Sequence, residues 1–509
     1  MDPYKGNQMT LLVKGGLVVT GDRGDTVLDC HDILIEDGRI RKIGTDLDAH
    51  APGAEIVDAR RSIVMPGLIN AHVHSNESFE QGATDNLPLE LWRLRTYPPF
   101  DAPLLSEEDH YLRAMLCAII SIKSGVTTLQ DDVIVPNRAS PEVVAGACRA
   151  YRDIGIRAWV TTSLGDVGVI ESHPFLDTLL PPEVFRALAA VPVPSAHTQL
   201  DLFRHNFKAW HGCEGRIHMV LAPRAPQRCT DALLEGTMQL SRQYGVAVHT
   251  HVLETRTQLV SAQIQHGRSL IEYMRDIGML TPRLTINHGI WLTQGDIALL
   301  AENEVSVTHN PLSNLKLGSG ICPLRRLLDA GVNVALGTDG MTTSDTADLM
   351  SALRLTALLH KVASPDYREW VSAKEAFRIA TKGGARSGLR EAELGSLAVG
   401  KTADLILLDR DHWAFLPLHD PVTQLALSAG PDAVHTSIIN GSIVMRDRKL
   451  IRIDEADLKR AIGESAERFR RSIHPKMLEA ARAVAPVFEE MYRKAMAQPV
   501  ATTVNPRFS

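Results

Sequence analysis

The chain has 509 residues, of which 44% are hydrophobic and 22% are charged, a composition typical of a globular protein with a large core. The formal net charge is -6 and no long basic run occurs, so neither nucleic acid nor a membrane surface is expected as a partner. The N-terminal segment lacks the apolar core of a signal peptide, and the longest apolar stretches are too short to span a bilayer. Six cysteines without a Cys-x-x-Cys pair fit a reducing cytosol, so we expect a cytoplasmic protein.

Both ends of the chain have β character. Residues 9–65 contain short apolar stretches that turn at Gly15-Gly16 and at Asp37-Gly38, and the second of these is a favoured hairpin dipeptide. β character returns from Gly395, and Asn440-Gly441 marks another hairpin. We therefore expect the two ends to combine in one β-sandwich.

Between the ends, eight apolar, β-rich runs alternate with helical stretches. The runs are Ile63–His74, Val126–Asp131, Ile156–Ser163, Ile217–Pro223, Val246–Val252, Leu284–Trp291, Val305–Asn310 and Val332–Asp339. The helical stretches include Glu107–Ser124, Asp231–Tyr244, Gln258–Ile277 and Gln294–Asn303. Near-continuous apolar strands separated by helices indicate a parallel sheet that is covered on its outer face. Eight such units predict a (β/α)₈ barrel. An open doubly wound sheet is the rival, but it usually carries a Gly-rich turn where the first run here ends in His-x-His.

These patterns divide the chain into four parts. Residues 1–65 and 391–450 form the two halves of the sandwich, and residues 66–390 form the α/β barrel. Residues 451–509 are expected to be C-terminal helices followed by a loose tail.

Two histidines end the first barrel run. His72 and His74 are spaced i, i+2, so on a strand their side chains point to the same face. Two imidazoles on one face can hold a metal ion such as zinc. An isolated His-x-His is more often a packed or surface pair, so further ligands are needed to support this interpretation.

Other barrel runs supply such ligands at their carboxyl ends, where the active site of a (β/α)₈ barrel is built. The fifth run ends at His251, with His249 one layer deeper and Glu254 on the following loop. The remaining strand-end residues are His288, His309 and Asp339. Ionisable groups are costly inside an apolar barrel unless they are paired or ligated, so this clustering predicts a metal site.

These residues resemble the amidohydrolase superfamily, and more narrowly its branch of triazine hydrolases and methylthioadenosine/S-adenosylhomocysteine-type deaminases. The resemblance spans roughly residues 10–450. Its motifs are Pro66-Gly-Leu-Ile-Asn-Ala-His-Val-His74, His249-Thr-His-Val-Leu-Glu254, Asn287-His288-Gly289, His309-Asn-Pro-Leu-Ser-Asn-Leu-Lys-Leu-Gly-Ser-Gly320 and Leu336-Gly-Thr-Asp-Gly340.

The resemblance implies one divalent metal ion, with zinc expected and iron as the alternative. It implies four metal ligands, namely His72, His74, His251 and Asp339. It also makes Glu254, His288 and Asp339 the catalytic residues. Such a ligand set leaves a position for water, whose pKa the ion lowers towards neutrality. Asp339 can then take a proton from the water, His288 can orient it, and Glu254 can protonate a ring nitrogen of the substrate.

Members of the superfamily with two metal ions bridge them through a modified lysine at the end of the fourth strand. The fourth run here ends in Pro223-Arg224, and no lysine occurs between Lys208 and Lys316. We therefore predict a single catalytic metal ion in each chain.

The sequence departs from the nucleoside deaminase pattern in the substrate pocket. Arg224 stands where those enzymes usually have histidine, and could meet an acidic or carbonyl-bearing substrate. Asp101 could take the place of their ribose-binding glutamate, but its side chain is shorter. The expected pocket residues are Glu77, Glu80, Trp92, Asp101, Arg224, His309 and Asn310, although solvated or turn-forming roles are open for the carboxylates and for Asn310.

The reaction expected from these residues is hydrolytic deamination of an amino-substituted N-heterocycle. A second interpretation is a triazine, urea or amide hydrolase that releases an alkylamine or chloride. A third is an oligomeric scaffold without activity, but such proteins typically lose ligands that this chain retains. The expected partners are a small-molecule substrate and further copies of the chain, as a homodimer or a higher homo-oligomer.

Overall fold

The computed structural model describes residues 10–98, 105–134, 140–500 and 503–504. Its strands are β1 (Leu11–Val19), β2 (Val27–Glu36), β3 (Arg39–Gly44), β4 (Glu55–Asp58), β5 (Ser62–Pro66), β6 (Leu68–His74), β7 (Val126–Val133), β8 (Arg157–Leu164), β9 (Ile217–Met219), β10 (Ala222–Pro223), β11 (Val248–Val252), β12 (Leu284–His288), β13 (Ser306–His309), β14 (Val334–Leu336), β15 (Asp339–Gly340), β16 (Leu405–Asp409), β17 (Val434–Ile439), β18 (Ser442–Arg446) and β19 (Lys449–Leu450).

The α-helices lie mainly between the strands and after the last of them. They are α1 (Leu89–Thr96), α2 (Glu107–Lys123), α3 (Pro141–Ile154), α4 (Leu176–Leu179), α5 (Pro182–Ala189), α6 (Ala196–Trp210), α7 (Asp231–Tyr244), α8 (Arg256–His266), α9 (Leu270–Asp276), α10 (Gln294–Glu302), α11 (Pro311–Lys316), α12 (Leu324–Asp329), α13 (Leu349–Leu359), α14 (Ala373–Arg378), α15 (Gly384–Ser387), α16 (Pro421–Leu427), α17 (Glu455–Ser472) and α18 (His474–Ala497). Across the described residues, no helix combines the length and the apolar character needed to cross a bilayer.

The two ends of the chain meet in one sheet, as predicted. Its strand order is β19-β18-β17-β16-β5-β1-β2-β3, and β4 pairs with β1. The junction between the ends is the antiparallel pair of β16 with β5, in which Leu407 lies opposite Val64. Both residues belong to a fully buried apolar cluster with Ile33 and Ile35 of β2, so burial of alternate side chains stabilises the union.

The middle of the chain forms the predicted (β/α)₈ barrel. Parallel pairing runs from β6 through β7 and β8 to β9 and β10, and from β11 through β12 and β13 to β14. The bridge between Leu221 and Val248 joins these two arcs. The ring closes where Asp339 of β15 pairs with Val73 of β6. The eighth strand is interrupted at Gly337, where a Cβ would lie 2.3 Å from Asn310 Oδ1 and 2.9 Å from the Cβ of His72.

The structure differs from the sequence prediction at two boundaries. The predicted run Ile63–His74 is two strands, because β5 belongs to the terminal sheet and β6 begins the barrel. Gly67 separates them, and a Cβ there would lie 2.1 Å from Thr127 Oγ1. The predicted helix Gln258–Ile277 is also divided, since Gly267 ends α8 with a φ of 63° and Ser269 begins α9 with a capping box.

The C-terminal helices pack over the carboxyl-end side of the barrel. Phe488 and Met491 of α18 are buried in an apolar cluster with Leu94 of α1, Ile170 and Leu188. α17 is held to α2 by a hydrogen bond of 2.6 Å from Ser465 Oγ to Asp109 Oδ1. The last long helix therefore lies directly against α1, the helix that forms one side of the cavity described below.

Candidate metal centre and active site

Three histidines and an aspartate converge at the carboxyl ends of the barrel strands. Asp339 Oδ1 lies 3.3 Å from His72 Nε2 and 3.2 Å from His74 Nε2. His251 Nε2 lies 3.3 Å from His74 Nε2. These side chains come from β6, β11 and β15, so barrel closure brings together residues that are far apart in the sequence.

The hydrogen bonds of two imidazoles fix their tautomers. His74 Nδ1 lies 2.6 Å from the carbonyl oxygen of Asp132, and His251 Nδ1 lies 2.7 Å from that of Arg224. A carbonyl can only accept, so each Nδ1 must carry hydrogen and donate it. In the neutral rings the two Nε2 atoms are then both acceptors, and their close approach requires a positive charge between them, either a proton or a metal ion.

The ligand set fits zinc. Ligand nitrogens about 2.1 Å from a tetrahedral zinc ion lie about 3.4 Å from one another, close to the separations found here. His72 is completely buried, and neither of its ring nitrogens forms a hydrogen bond with a described residue. An unsatisfied buried imidazole is costly, and a metal ion held by its Nε2 would remove part of that cost.

The pKa values of His72, His74 and Asp339 also indicate that a positive charge is favoured between these side chains. Burial lowers the pKa of His72 to about 4, although Asp339 opposes this. For His74, burial acts in the same direction, but Asp339 outweighs it and raises the pKa to about 10. Despite the opposing effect of burial, the adjacent imidazoles of His72 and His74 hold the pKa of Asp339 well below its usual range. The carboxylate is therefore ionised and attracts a cation.

Two of the strand-end residues have left-handed backbone conformations. His288 has a φ of 72° and Asp339 a φ of 68°. Such conformations are uncommon for residues other than glycine and cluster at functional sites, where the surrounding structure maintains them. Ser313 Oγ donates a hydrogen bond of 2.6 Å to Asp339 Oδ2, which orients the carboxylate.

Glu254 and His288 lie beside the proposed ligands. His288 Nε2 is 3.7 Å from Glu254 Oε2, and His288 Nδ1 is 2.9 Å from Asn314 Oδ1. The Asn314 oxygen can only accept, so Nδ1 carries hydrogen and a neutral His288 offers Nε2 as an acceptor. Burial raises the pKa of Glu254 to about 7, against the effect of His288. A carboxyl group with such a pKa can donate a proton near neutral pH.

A cavity opens in front of these groups. It is lined by His74, Glu77, Leu89, Trp92, Arg93, Tyr97, Ile134, Arg224, Ala225, Arg228, His251, Glu254, Gln258, His288, Asp339 and Thr343. Glu77 is fully buried and accepts hydrogen bonds of 2.6 Å from Tyr97 Oη and from Thr342 Oγ1. Trp92 contacts Tyr97 edge to face and forms an apolar part of the wall.

The other expected pocket residues have different surroundings. Glu80 is buried and lies 3.6 Å from Arg113 Nη1. His309 Nε2 lies 3.1 Å from His360 Nε2, and Asn310 Nδ2 lies 3.4 Å from His288 Nδ1. None of these three residues lines the cavity, and Asp101 is outside the described residues.

Three residues at the site are not among those predicted from the sequence, namely Arg93, Arg228 and Ser313. Arg93 and Arg228 line the cavity, and Ser313 orients Asp339. Arg93 follows Trp92 directly, and Arg228 follows Arg224 by four residues in a short segment without acidic residues. The pair Arg224 and Arg228, so close to the end of a predicted strand, was the sequence feature that could have indicated a positively charged side of the cavity.

Comparison with known families identifies the chain. The model of the amidohydrolase family matches residues 63–444, which is most of the chain and includes every strand-end residue described above. The chain belongs to the amidohydrolase family. The resemblance found in its sequence motifs is thereby confirmed.

Its relatives within the amidohydrolase family include deaminases. The chain is 31% identical to the 5'-deoxyadenosine deaminase of Methanosarcina mazei, over 90% of the chain and 98% of the relative. It is 33% identical to the 5-methylthioadenosine/S-adenosylhomocysteine deaminase of Thermococcus onnurineus, over 87% and 95%. Among solved structures, an adenosine deaminase from Xanthomonas campestris with bound zinc is 29% identical, with a TM-score of 0.80 over 91% of this chain and 99% of that one.

Proposed function

We propose that this amidohydrolase is a metal-dependent aminohydrolase that removes an amino group from an adenosine-type N-heterocycle. The observation that carries the proposal is the close approach of His72, His74, His251 and Asp339, with Glu254 and His288 beside them in the cavity lining. The deaminases to which the chain is similar support the choice of reaction and ring class.

The metal ligands in this proposal are the three imidazole Nε2 atoms and the Asp339 carboxylate, with one zinc ion in each chain. When bound, the ion acts as a Lewis acid that lowers the pKa of the attacking water. In the described part of the chain, every group of residues able to hold a metal includes His72 or Asp339, which supports a single centre.

The chain's own residues move the protons. Asp339 takes a proton from the attacking water, and His288 Nε2 accepts a hydrogen bond that orients the water towards the ring carbon bearing the amino group. Glu254 donates its proton to the adjacent ring nitrogen as the new C–O bond forms. The C–N bond then breaks, and the amine leaves as ammonia with the proton that Asp339 received. The hydroxyl proton of the intermediate passes to Glu254 as the ring carbonyl forms, which restores the acid.

The proposal is tested by ammonia release from the zinc-loaded protein. The substrates are adenosine, 5'-deoxyadenosine, 5-methylthioadenosine and S-adenosylhomocysteine, with ureas and amides as controls for the other hydrolase classes. We expect ammonia from at least one adenosine-type compound, loss of turnover after chelation, and recovery on addition of zinc. Release of an alkylamine or chloride from other substrates, without ammonia from these, would contradict the proposal.

The predicted homo-oligomer and cytoplasmic location belong to this proposal. Light scattering during size-exclusion chromatography tests the oligomeric state, with a dimeric or larger mass expected.

A further inference from the structure

Three arginines form one side of the active-site cavity, and we refer to Arg93, Arg224 and Arg228 as the arginine wall. Arg93 lies on α1, Arg224 follows β10, and Arg228 ends the 3₁₀ turn Pro226–Arg228. All three line the cavity that contains His74, Glu254 and Asp339. They also line an adjoining cavity, whose lining includes none of the metal ligands. The arginine wall therefore borders both the adjoining cavity and the cavity of the reacting centre.

The adjoining cavity is built to carry positive charge. Besides the arginine wall, its described lining consists of uncharged residues, including Ser163, Ser172 and Gln199, and none of them is acidic. Three buried carboxyl groups act on the arginine wall through their charge, namely Asp132 on Arg224, and Glu90 and Glu254 on Arg228. Each has another partner as well, since Asp132 accepts a hydrogen bond of 2.7 Å from Ser163, Glu90 accepts one of 2.8 Å from Thr255, and Glu254 lies beside His288. Among the described residues, no carboxylate forms an ion pair with Arg93 or Arg228.

A neutral group holds Arg228 in place. Arg228 Nη2 lies 3.1 Å from His173 Nε2, and His173 Nδ1 lies 2.8 Å from the carbonyl oxygen of Val169. His173 thus donates from Nδ1 to the carbonyl and accepts from the guanidinium at Nε2. The ring of Phe488 from α18 packs edge to face against this imidazole at 5.5 Å. The structure positions the Arg228 cation without neutralising it.

The side chains of the arginine wall are half-buried, and clustered cations that are partly withdrawn from water are costly unless an anion offsets their charge. Burial, followed by the charge of Arg224, lowers the pKa of Arg228 to about 9. Burial and then the charges of Arg228 and Arg224 lower the pKa of Arg93 well below its usual range. In both cases the protonated arginine is destabilised by burial and by its neighbours' positive charge, and a bound anion would offset this.

We propose that the arginine wall binds an anionic substituent of the substrate, a carboxylate or a phosphate carried on the arm that extends from the aminated ring. The inference rests on the proposed deaminase function, and it narrows the substrate to an anionic N-heterocycle. Planar guanidinium groups donate paired hydrogen bonds to either kind of anion, which explains the use of arginine at these positions.

The test compares neutral and anionic substrates that share one ring. Ammonia release is measured for adenosine, adenosine 5'-monophosphate and adenosine 5'-carboxylate, using the zinc-loaded wild type and the variants R93Q and R228Q. We expect the wild type to prefer one anionic compound by roughly tenfold or more in kcat/KM, and each variant to reduce that preference by roughly tenfold, chiefly through KM. The phosphate and carboxylate arms identify which anion is used.

Two further variants make the test specific. Arg95 lies on the same helix as Arg93 but is exposed, so R95Q is the matched control and should retain the wild-type preference. R93K keeps the charge and should recover part of the preference that R93Q loses. An equal preference in the wild type, R93Q and R228Q would overturn the inference while leaving the deaminase function in place.

A binding experiment separates the two proposals. If neither these three compounds nor the substrates tested for the proposed function release ammonia, the deaminase proposal fails for this ring class. The arginine wall is then tested with inorganic phosphate and malonate by calorimetry. Binding of either anion that weakens roughly tenfold in R93Q but not in R95Q supports the anion site. Absence of binding, or equal binding in both variants, overturns it.

Discussion

The two sides of the active-site cavity are built in different ways. The metal side consists of strand-end residues, whose directions follow from the alternation of side chains along β6 and β11 and from the closure of the barrel. The arginine wall lies on α1 and on the turn after β10, segments that the barrel does not constrain in the same way. The comparison teaches that the barrel determines the reacting centre, whereas the segments around it select the substrate.

Among the variants proposed here, one that lacks a metal ligand should lose the most activity. H251A removes one imidazole, so we expect both the bound metal and turnover to be lost, with kcat/KM falling by about 10³-fold or more because metal activation supplies several kcal/mol. Metal analysis and ammonia release measure the two effects. A variant that keeps one zinc ion and near-normal turnover would remove His251 from the metal side.

A variant of Glu254 tests whether proton transfer can be lost while metal binding is kept. E254Q keeps the shape of the side chain but removes its acidic proton, so kcat should fall by about 10²- to 10⁴-fold. Zinc content should stay at the wild-type level, as measured by elemental analysis of dialysed protein. Near-normal turnover would show that another group protonates the ring.

A variant of Ser313 tests whether the hydrogen bond to Asp339 strengthens metal binding. S313A removes the hydrogen bond to Asp339 Oδ2, so zinc affinity should fall by about 10- to 100-fold. Competition with a chelator of known affinity gives the value. The matched control is S351A, because Ser351 is exposed and donates a hydrogen bond to Asp348 at the start of α13, away from the metal ligands. An equal loss in both variants would contradict the role of Ser313.

The smallest effect is expected for His173, the residue that holds Arg228 of the arginine wall. Its replacement should change only how the stability of the protein depends on pH in the acid range. Burial, then the charges of Arg228 and Arg93, hold the pKa of His173 well below its usual value. Because the folded-state pKa is depressed, the unfolded chain binds the proton more readily, and His173 should reduce stability as pH falls below about 6.5. H173Q should flatten the dependence of the melting temperature on pH in this range.

The exposed His197, whose side chain is 85% accessible, provides the control for that measurement. H197Q should keep the wild-type pH dependence. If H173Q and H197Q behave alike, the neutral support proposed for Arg228 is wrong.

Much of the fold and the reacting centre could be predicted because both depend on short-range rules. Strand parity places His72 and His74 on one face, and barrel closure brings His251 and Asp339 to them. The hairpin dipeptides likewise identified the terminal β modules. None of these inferences required knowledge of a particular long-range side-chain contact.

The remaining features depend on contacts that no local pattern encodes. The break at Gly67 follows from the approach of Thr127, which is 60 residues away in sequence. Glu80 was expected in the pocket region, but its buried position next to Arg113 depends on the packing of α2. Arg93 reaches the cavity only because α1 is packed against α18, so its position could not be read from the sequence around Trp92.

Zinc K-edge X-ray absorption of the zinc-loaded protein, combined with metal quantification, tests the metal centre most directly. The ligand set proposed here predicts one zinc ion in each chain, bound by three imidazole nitrogens at about 2.0–2.1 Å and by oxygen ligands. Two zinc ions in each active chain, or a zinc environment with fewer than two imidazoles, would contradict it.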